Sequence, residues 1–385
     1  MRIALTCNFS PWSPYSGGGQ RSTHALATAL GREGHDVSVV FTRTPWEHFE
    51  VPRVEYALHW ASFFGLRSRR AAPLRPLNAL SVLSAVKALH SERPLDVVHG
   101  NGEEVVLAAS WGRESGVPVV TTPRYPAYPR ALLNPGGPGR FERLRLTLTD
   151  PKYLLLGRAA RLSSWCCPTS QYAASLVERA LGVRSEKLAV IPNGVSEVFF
   201  EHAWDPPSAA PFLFFGRLAH DKGVDVLLRA LARTPGEQKL MIVGRGDQGP
   251  ELKRLSSELG LRERVVWRDW LGEAELAREL SRARIAILPS RHESFGNAMA
   301  EAMAVGTPLV TTNAGSIPEI VEHEVTGLLV PSDDPEALQA AISRLEQDPV
   351  LGRRLSAAGR ERMRQSFSWQ AVARRYLQLY QAPNR

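Results

Sequence analysis

Short apolar runs rich in branched side chains recur along this chain at positions 3–7, 37–41, 97–99, 117–121 and 188–191, and again at 212–215, 239–243, 264–267, 285–288, 308–311 and 327–330. Runs this short, bounded by Gly, Pro and polar clusters, suit strands buried on both faces of a parallel sheet. Longer helical stretches alternate with them, one near 21–30, and a final one follows the last run over 369–380. Their alternation predicts an α/β fold of open, doubly wound parallel sheets. The Pro- and Ala-rich segment EHAWDPPSAAP (201–211) has no periodicity and reads as a linker. It divides the chain into 1–205 and 206–367, and 385 residues suffice for two such domains, each with its own core.

The stretch RHESFGNAMAEAMAVGTPLVTTNAGSIPE (291–319) carries the densest chemistry. An apolar strand ends at Pro289, a loop holds Glu293, and an Ala- and Met-rich helix over 297–305 holds Glu301. Asn297 is the expected helix cap, and with Phe295 and Gly296 it lies where backbone amides and the helix dipole would face a diphosphate. Carboxylates accept hydrogen bonds from vicinal hydroxyls, so Glu293 and Glu301 suit two hydroxyl-bearing rings, a hexose and a ribose. A capping box does not explain Glu301, because with Asn297 as cap the box position falls on Ala300.

With its E-x7-E spacing and the AMAVGTPLVTTNAGSIPEIV and VTGLLVPSDDPEAL segments that follow, the chain resembles the retaining nucleotide-sugar glycosyltransferases of family 4. The resemblance extends to SGGGQRSTHALATALGREGHDVSVV (16–40), DVVHG (96–100), IPNGV (191–195), FFGRLAHDKGVDVLLRAL (214–231) and FSWQAVARRYLQLY (367–380). It implies the GT-B architecture, two Rossmann-like domains facing across a cleft, with a C-terminal helix (368–385) packing back on the first. The expected donor is a nucleotide diphosphate sugar, UDP-linked before GDP-linked, and the expected acceptor is a hydroxyl group. Retention implies a front-face reaction in which the leaving phosphate oxygen helps deprotonate the acceptor.

Arg217 and Lys222 follow the strand at 212–215 in GRLAHDKG. Fixed cations there would stabilise a departing diphosphate as it gains charge, Arg through its fork and Lys as a point charge. No two aspartates are spaced as D-x-D, the arrangement that would bridge a divalent cation to the diphosphate, so no metal or other cofactor is expected. Asp333 and Asp334 precede a proline and read as a helix cap. Gly17, Gly18 and Gly19 lie between the first strand and its helix, where the absent Cβ lets the backbone approach a ligand. A dinucleotide fingerprint is excluded by the long loop before them, by Ser22 at the third position and by a second strand that ends without a ribose-binding acid. The resemblance places Gly18 and Gly19 near the donor phosphate, although Gln20 stands where relatives commonly have an acid.

His99 ends the strand of DVVHG, where its ring would point into the cleft, and the resemblance places it beside the transferred sugar. Asn101 and Pro123-Arg124 replace histidines common in relatives, and the loop RYPAYPRALLNPGGPGRF (124–141) would set acceptor choice. Asp269, in VWRDWLGE (266–273), stands where relatives commonly have glycine at the base-binding loop.

Net charge is +8 and the isoelectric point near 9.7. Nucleic acid is excluded as a partner: the chain has no basic arm, zinc-finger spacing or aromatic RNA motif, and its arginines are scattered. Peripheral contact with an anionic membrane competes evenly with a solvated Arg-rich surface, because basic and apolar residues mingle in LRSRRAAPLRPL (66–77) and GRFERLRLTL (139–148). Three cysteines without metal-ligand spacing, an opening strand too short for a signal peptide and no membrane-length apolar run predict a cytoplasmic protein. Two rival classes share the architecture, a phosphorylase or sugar-nucleotide epimerase and a catalytically silent envelope-assembly scaffold.

Overall fold

The first strand, Arg2–Cys7 (β1), is buried along nearly its whole length and takes parallel neighbours on both sides, Asp36–Arg43 (β2) and Val97–Gly100 (β4). It opens the first of two units in a computed structural model that describes residues 1–14, 16–64, 74–124, 141, 145 and 151–382. That unit comprises Met1–Gly194 with Val372–Arg385, and the second comprises Val195–Ala371.

In the first unit the chain runs β1, Gly18–Arg32 (α1), β2, Ala57–Ser62 (β3), Arg75–Glu92 (α2), β4, Val106–Ser115 (α3), Val119–Thr121 (β5), Lys152–Leu162 (α4), Trp165–Cys166 (β6) and Gln171–Leu181 (α5). The six strands form one sheet in the order β3-β2-β1-β4-β5-β6. The direction of winding reverses between β1 and β4, which leaves a crevice beyond their carboxyl ends. The edge strand β3, ALHWAS, was not expected from its only partly buried pattern. The expected strand at 188–191 is absent. Ala189 donates to the Cys166 carbonyl and Ile191 to Pro168, but Pro168 has no N–H to return and the ladder stops.

The second unit runs Glu197–Phe200 (α6), Phe212–Phe215 (β7), Val224–Arg233 (α7), Leu240–Val243 (β8), Gly249–Glu258 (α8), Val265–Arg268 (β9), Glu273–Arg282 (α9), Ile285–Leu288 (β10), Asn297–Val305 (α10), Leu309–Thr312 (β11), Ile317–Ile320 (α11), Leu328–Val330 (β12), Pro335–Gln347 (α12) and Pro349–Phe367 (α13). Its parallel sheet has the order β12-β11-β10-β7-β8-β9, the same winding as the first read from the other end. The switch here falls between β7 and β10. The small side chains of α10 let it sit close against the sheet and α13, with Met299, Ala300, Ala302 and Met303 buried. Asp334 caps α12 by accepting from the Ala337 amide at 2.8 Å.

The break between units falls at Val195, ahead of the expected position near 205. The reason lies in bonds that composition cannot show. Val195 N–H donates to the Phe367 carbonyl, Trp204 donates through its backbone to Val305 and through Nε1 to Ala283, and Asp205 N–H donates to Ser281. The Pro-rich segment is thus tied to the second unit. A last helix, Trp369–Tyr380 (α14), contributes its residues from Val372 onward to the first unit. Among the described residues no helix is long and apolar enough to cross a membrane.

Candidate functional site

The loops that leave the carboxyl ends of β7 and β10 meet at the switch point of the second unit. Lys222, in a 3-10 turn after β7, donates from Nζ to Glu293 Oε1 at 2.6 Å, and Ser290 Oγ donates to the same oxygen at 3.0 Å. Both charged side chains are mostly shielded, Lys222 at 20 % and Glu293 at 13 % exposed. The Glu293 backbone is fixed as well, because its carbonyl accepts from Ser316 N–H and Oγ, both at 3.1 Å. Gly315 makes this approach feasible: its φ is +58°, and a Cβ there would overlap the Glu293 carbonyl oxygen.

A second group of charges, not anticipated from sequence, holds the two loops together. Arg291 forks onto Asp225 with Nη1 and Nη2 both at 2.9 Å, donates from Nε to Asp333 at 2.6 Å, and reaches the His220 carbonyl at 2.6 Å. Its own amide donates to the Asp221 carbonyl at 2.8 Å. Burial would raise the Asp225 carboxyl, but the Arg291 fork outweighs burial and holds it below the usual aspartate range. The same bonds raise Arg291. Arg291 therefore braces the turn that carries Lys222. Its proximity to Glu293 in RHES was the available signal, but only the β7–β10 adjacency reveals the partner. Arg217 stands apart from the pair, 62 % exposed and bonded to Asp221 at 3.0 Å.

The start of α10 differs from expectation. Gly296, at φ +100°, is the cap, and Asn297 is the first helical residue. A positive φ costs glycine little, so it wins the cap position over the asparagine that follows it. The third helical position is then Met299, and Glu301 is no capping-box member in this register either. Asn297 is exposed and Glu301, four residues on, shares its face and is partly buried. Phe295 turns its ring inward against Phe367, 6.2 Å between centroids, and so offers only its backbone.

In the first unit Gly18 and Gly19 open α1, and Gln20 secures that opening by accepting from Gly17 N–H and donating to the Asn8 carbonyl. His99 departs from the expected placement, in which its ring is open to the cleft. Its ring is 1 % exposed, Nδ1 is 2.6 Å from the Tyr380 hydroxyl, Nε2 is 2.7 Å from Thr122 Oγ1, and Tyr376 packs on its face. Burial, assisted by Arg124, lowers its pKa to about 3, so the ring is neutral. Helix α14 covers what the strand pattern leaves open. Asp269 is an exposed partner of Arg245 at 2.9 Å. Most of the acceptor loop (124–141) and of the two basic segments (66–77, 139–148) lies outside the described residues.

Comparison with known proteins fits this geometry. Residues 16–198 match the model for Glycosyltransferase Family 4, and residues 203–362 match that for Glycosyl transferases group 1. A D-inositol 3-phosphate glycosyltransferase of Xylanimonas cellulosilytica is 30 % identical over 390 residues, covering 92 % of this chain and 89 % of the relative. The chain belongs to glycosyltransferase family 4. Other family relatives align over a smaller share: a Mycobacterium tuberculosis glycogen synthase is 35 % identical over 205 residues, 52 % of this chain and 49 % of that one. Against several curated relatives the match spans about half of their length. Among solved structures, sucrose-phosphate synthase from Thermosynechococcus elongatus superposes with a TM-score of 0.75 at 23 % identity, covering 98 % of both chains. HepE from Anabaena, solved with UDP and glucose, does so at 0.73 and 19 %, covering 100 % of both. At these identities the structures establish the shared GT-B fold of this family 4 chain.

Proposed function

We propose that this protein is a retaining glycosyltransferase that needs no divalent metal and moves a hexose from a nucleotide diphosphate sugar, UDP-linked in preference to GDP-linked, to a hydroxyl acceptor. The observation that carries the reading is the Lys222–Glu293 pair at the switch point, one short loop from the start of α10. Glu301 holds the ribose. Glu293 and the backbone of Phe295, Gly296 and Asn297 hold the hexose, with Lys222 and Arg217 on the diphosphate. The C1–O bond to the leaving phosphate breaks as the acceptor oxygen bonds to C1 on the same face, and the acceptor proton passes to the departing phosphate oxygen. Cations fixed where that charge develops favour the transition state over the ground state. Gly18 and Gly19 approach the donor phosphate, and His99 supports turnover from its buried position near the transferred sugar.

Peripheral contact with an anionic membrane belongs to the same reading. Phe64, Leu74, Leu77 and Leu80 are exposed, and the Phe64 amide donates to Asn78 Oδ1, which ties the backbone at 64 to the first turns of α2. Apolar side chains beside an arginine-rich segment suit a lipid interface on the cytoplasmic side. Sedimentation with anionic vesicles should exceed that with zwitterionic ones, and equal recovery would remove this part.

A thermal-shift panel of UDP-, GDP- and ADP-sugars identifies the donor, since a ligand that binds only the folded state raises the melting temperature. NMR of the first-formed product then reads the anomeric configuration. Inversion, or the absence of any nucleotide-sugar shift, would refute the reading.

A further inference from the structure

The crevice at the switch point of the first unit holds a cation with no carboxylate partner among the described residues. Arg124, just beyond β5, runs past the start of α1, its Cδ 3.5 Å from where a Cβ on Gly19 would stand. Its Nε donates to Asn101 Oδ1 at 2.7 Å and its Nη1 donates to Asn193 Oδ1. Both partners are neutral amide oxygens, and none of the ion pairs among the described residues includes Arg124. Burial lowers its pKa, the response of a cation whose surroundings do not compensate it.

Two neighbours sharpen the imbalance. Gly18 and Gly19 are the first positions of a 15-residue helix, so their amides have no acceptor within it and the positive end of the dipole lies beside the guanidinium. Of the two buried acids of the region, Glu103 and Glu104, the second does not cancel this. Glu104 accepts from Asn101 N–H at 2.9 Å and from Thr6 Oγ1 at 3.2 Å, and burial with the neighbouring Glu103 raises its pKa to about 8, leaving it largely protonated at neutral pH. Two of the five N–H donors of Arg124 are used by the asparagines, and a fork with donors to spare matches the oxygens of a phosphate.

We infer that Arg124, positioned by Asn101 and Asn193 at the start of α1, binds an anionic group of the acceptor, of phosphate-monoester type. This deepens the proposed function by giving the acceptor a charge, and its test separates the two claims. The full chain is saturated with UDP so that the nucleotide site is filled, and thermal unfolding is followed with inorganic phosphate against chloride at equal ionic strength. Phosphate at ten times its Kd should raise the wild-type melting temperature by about 3–6 °C beyond the chloride control. Arg124→Gln should lose that rise. Asn193→Asp, which places a carboxylate beside the guanidinium, should also lose it while remaining folded, and it decides the matter alone if Arg124→Gln does not fold. A rise kept in either variant, or absent from the wild type, overturns the inference. Failure of UDP itself to shift unfolding counts against the nucleotide-sugar reading instead, and phosphate alone still tests Arg124.

Discussion

Lys222 Nζ lies 2.6 Å from Glu293 Oε1, although 71 positions separate the two residues in the chain. The contact joins the proposed diphosphate clamp to the proposed hexose clamp, so neither side chain acts alone. Lys222→Ala should lower kcat by roughly 10²- to 10³-fold, as removal of one fixed transition-state donor does, with a smaller change in KM. Combining it with Glu293→Gln should cost less than the sum of the single losses, because one contact is deleted twice. Steady-state kinetics of the four proteins measure this, and full additivity would mean that the ion pair has no part in turnover.

The two glutamates should separate by ligand. Glu301→Gln should weaken both the free nucleotide and the sugar nucleotide, whereas Glu293→Gln should mainly weaken the sugar nucleotide and slow transfer. Each lost charge-assisted bond should cost about 1.5–3 kcal/mol. Calorimetric titration with UDP and then with the UDP-sugar distinguishes them, and equal losses on free UDP would reverse the assignment.

Gly315→Ala should damage the site without touching a charge. The added Cβ meets the Glu293 carbonyl at a backbone angle that alanine resists. Urea unfolding should show a loss greater than about 1 kcal/mol, and kcat should fall with it as Glu293 moves. Unchanged stability would show that the 293 loop yields freely.

Acid and alkali should act on the first unit through different residues. The folded pKa of His99, about 3, lies below its ordinary 6.5, so its contribution is complete above 6.5 and is lost as pH falls toward 3. That of Glu104, about 8, lies above its ordinary 4.5, so its contribution is complete below 4.5 and is lost as pH rises toward 8. Between 4.5 and 6.5 the slopes oppose each other, each at most about 1.4 kcal/mol per pH unit. Glu104→Gln should therefore abolish the decline in stability from pH 6.5 to 8 and leave the acid limb intact. Urea midpoints at pH 4, 5.5 and 8 test this, and an alkaline decline that survives the substitution would exonerate Glu104.

Since cations of the protein face the proposed leaving group, EDTA should leave transfer nearly unchanged. Abolition by EDTA with recovery on adding Mn²⁺ would require a different account of how the diphosphate departs.

Much of this architecture is legible in the chain because buried parallel strands announce themselves as unbroken branched runs, as at Phe212–Phe215 and Ile285–Leu288. The loops after those strands carry Arg217, Lys222 and Glu293 at positions visible in the sequence. Their pairing is not, since it depends on β7 and β10 becoming neighbours across the switch. Arg291 was passed over for the same reason: its partner Asp225 lies on the other loop. The end of a strand predicts a His99 ring that points into the cleft, but it says nothing about what a distant helix covers, and Tyr380 lies 281 positions away. At 297 a good capping residue lost to the glycine before it, a choice made by φ rather than by side-chain chemistry.

The first unit is interrupted in sequence, with Val372–Arg385 separated from Met1–Gly194 by the whole of Val195–Ala371. Synthesis from the amino terminus therefore finishes the second unit before the first has received Tyr376 and Tyr380. Until then the His99 ring lacks one of its two hydrogen-bond partners and the aromatic face that packs on it. The half that begins first is completed last. A released chain that ends at residue 371 should hold a protease-resistant second half behind a first half that is still readily cut, and a chain that includes residues 372–385 should resist in both halves.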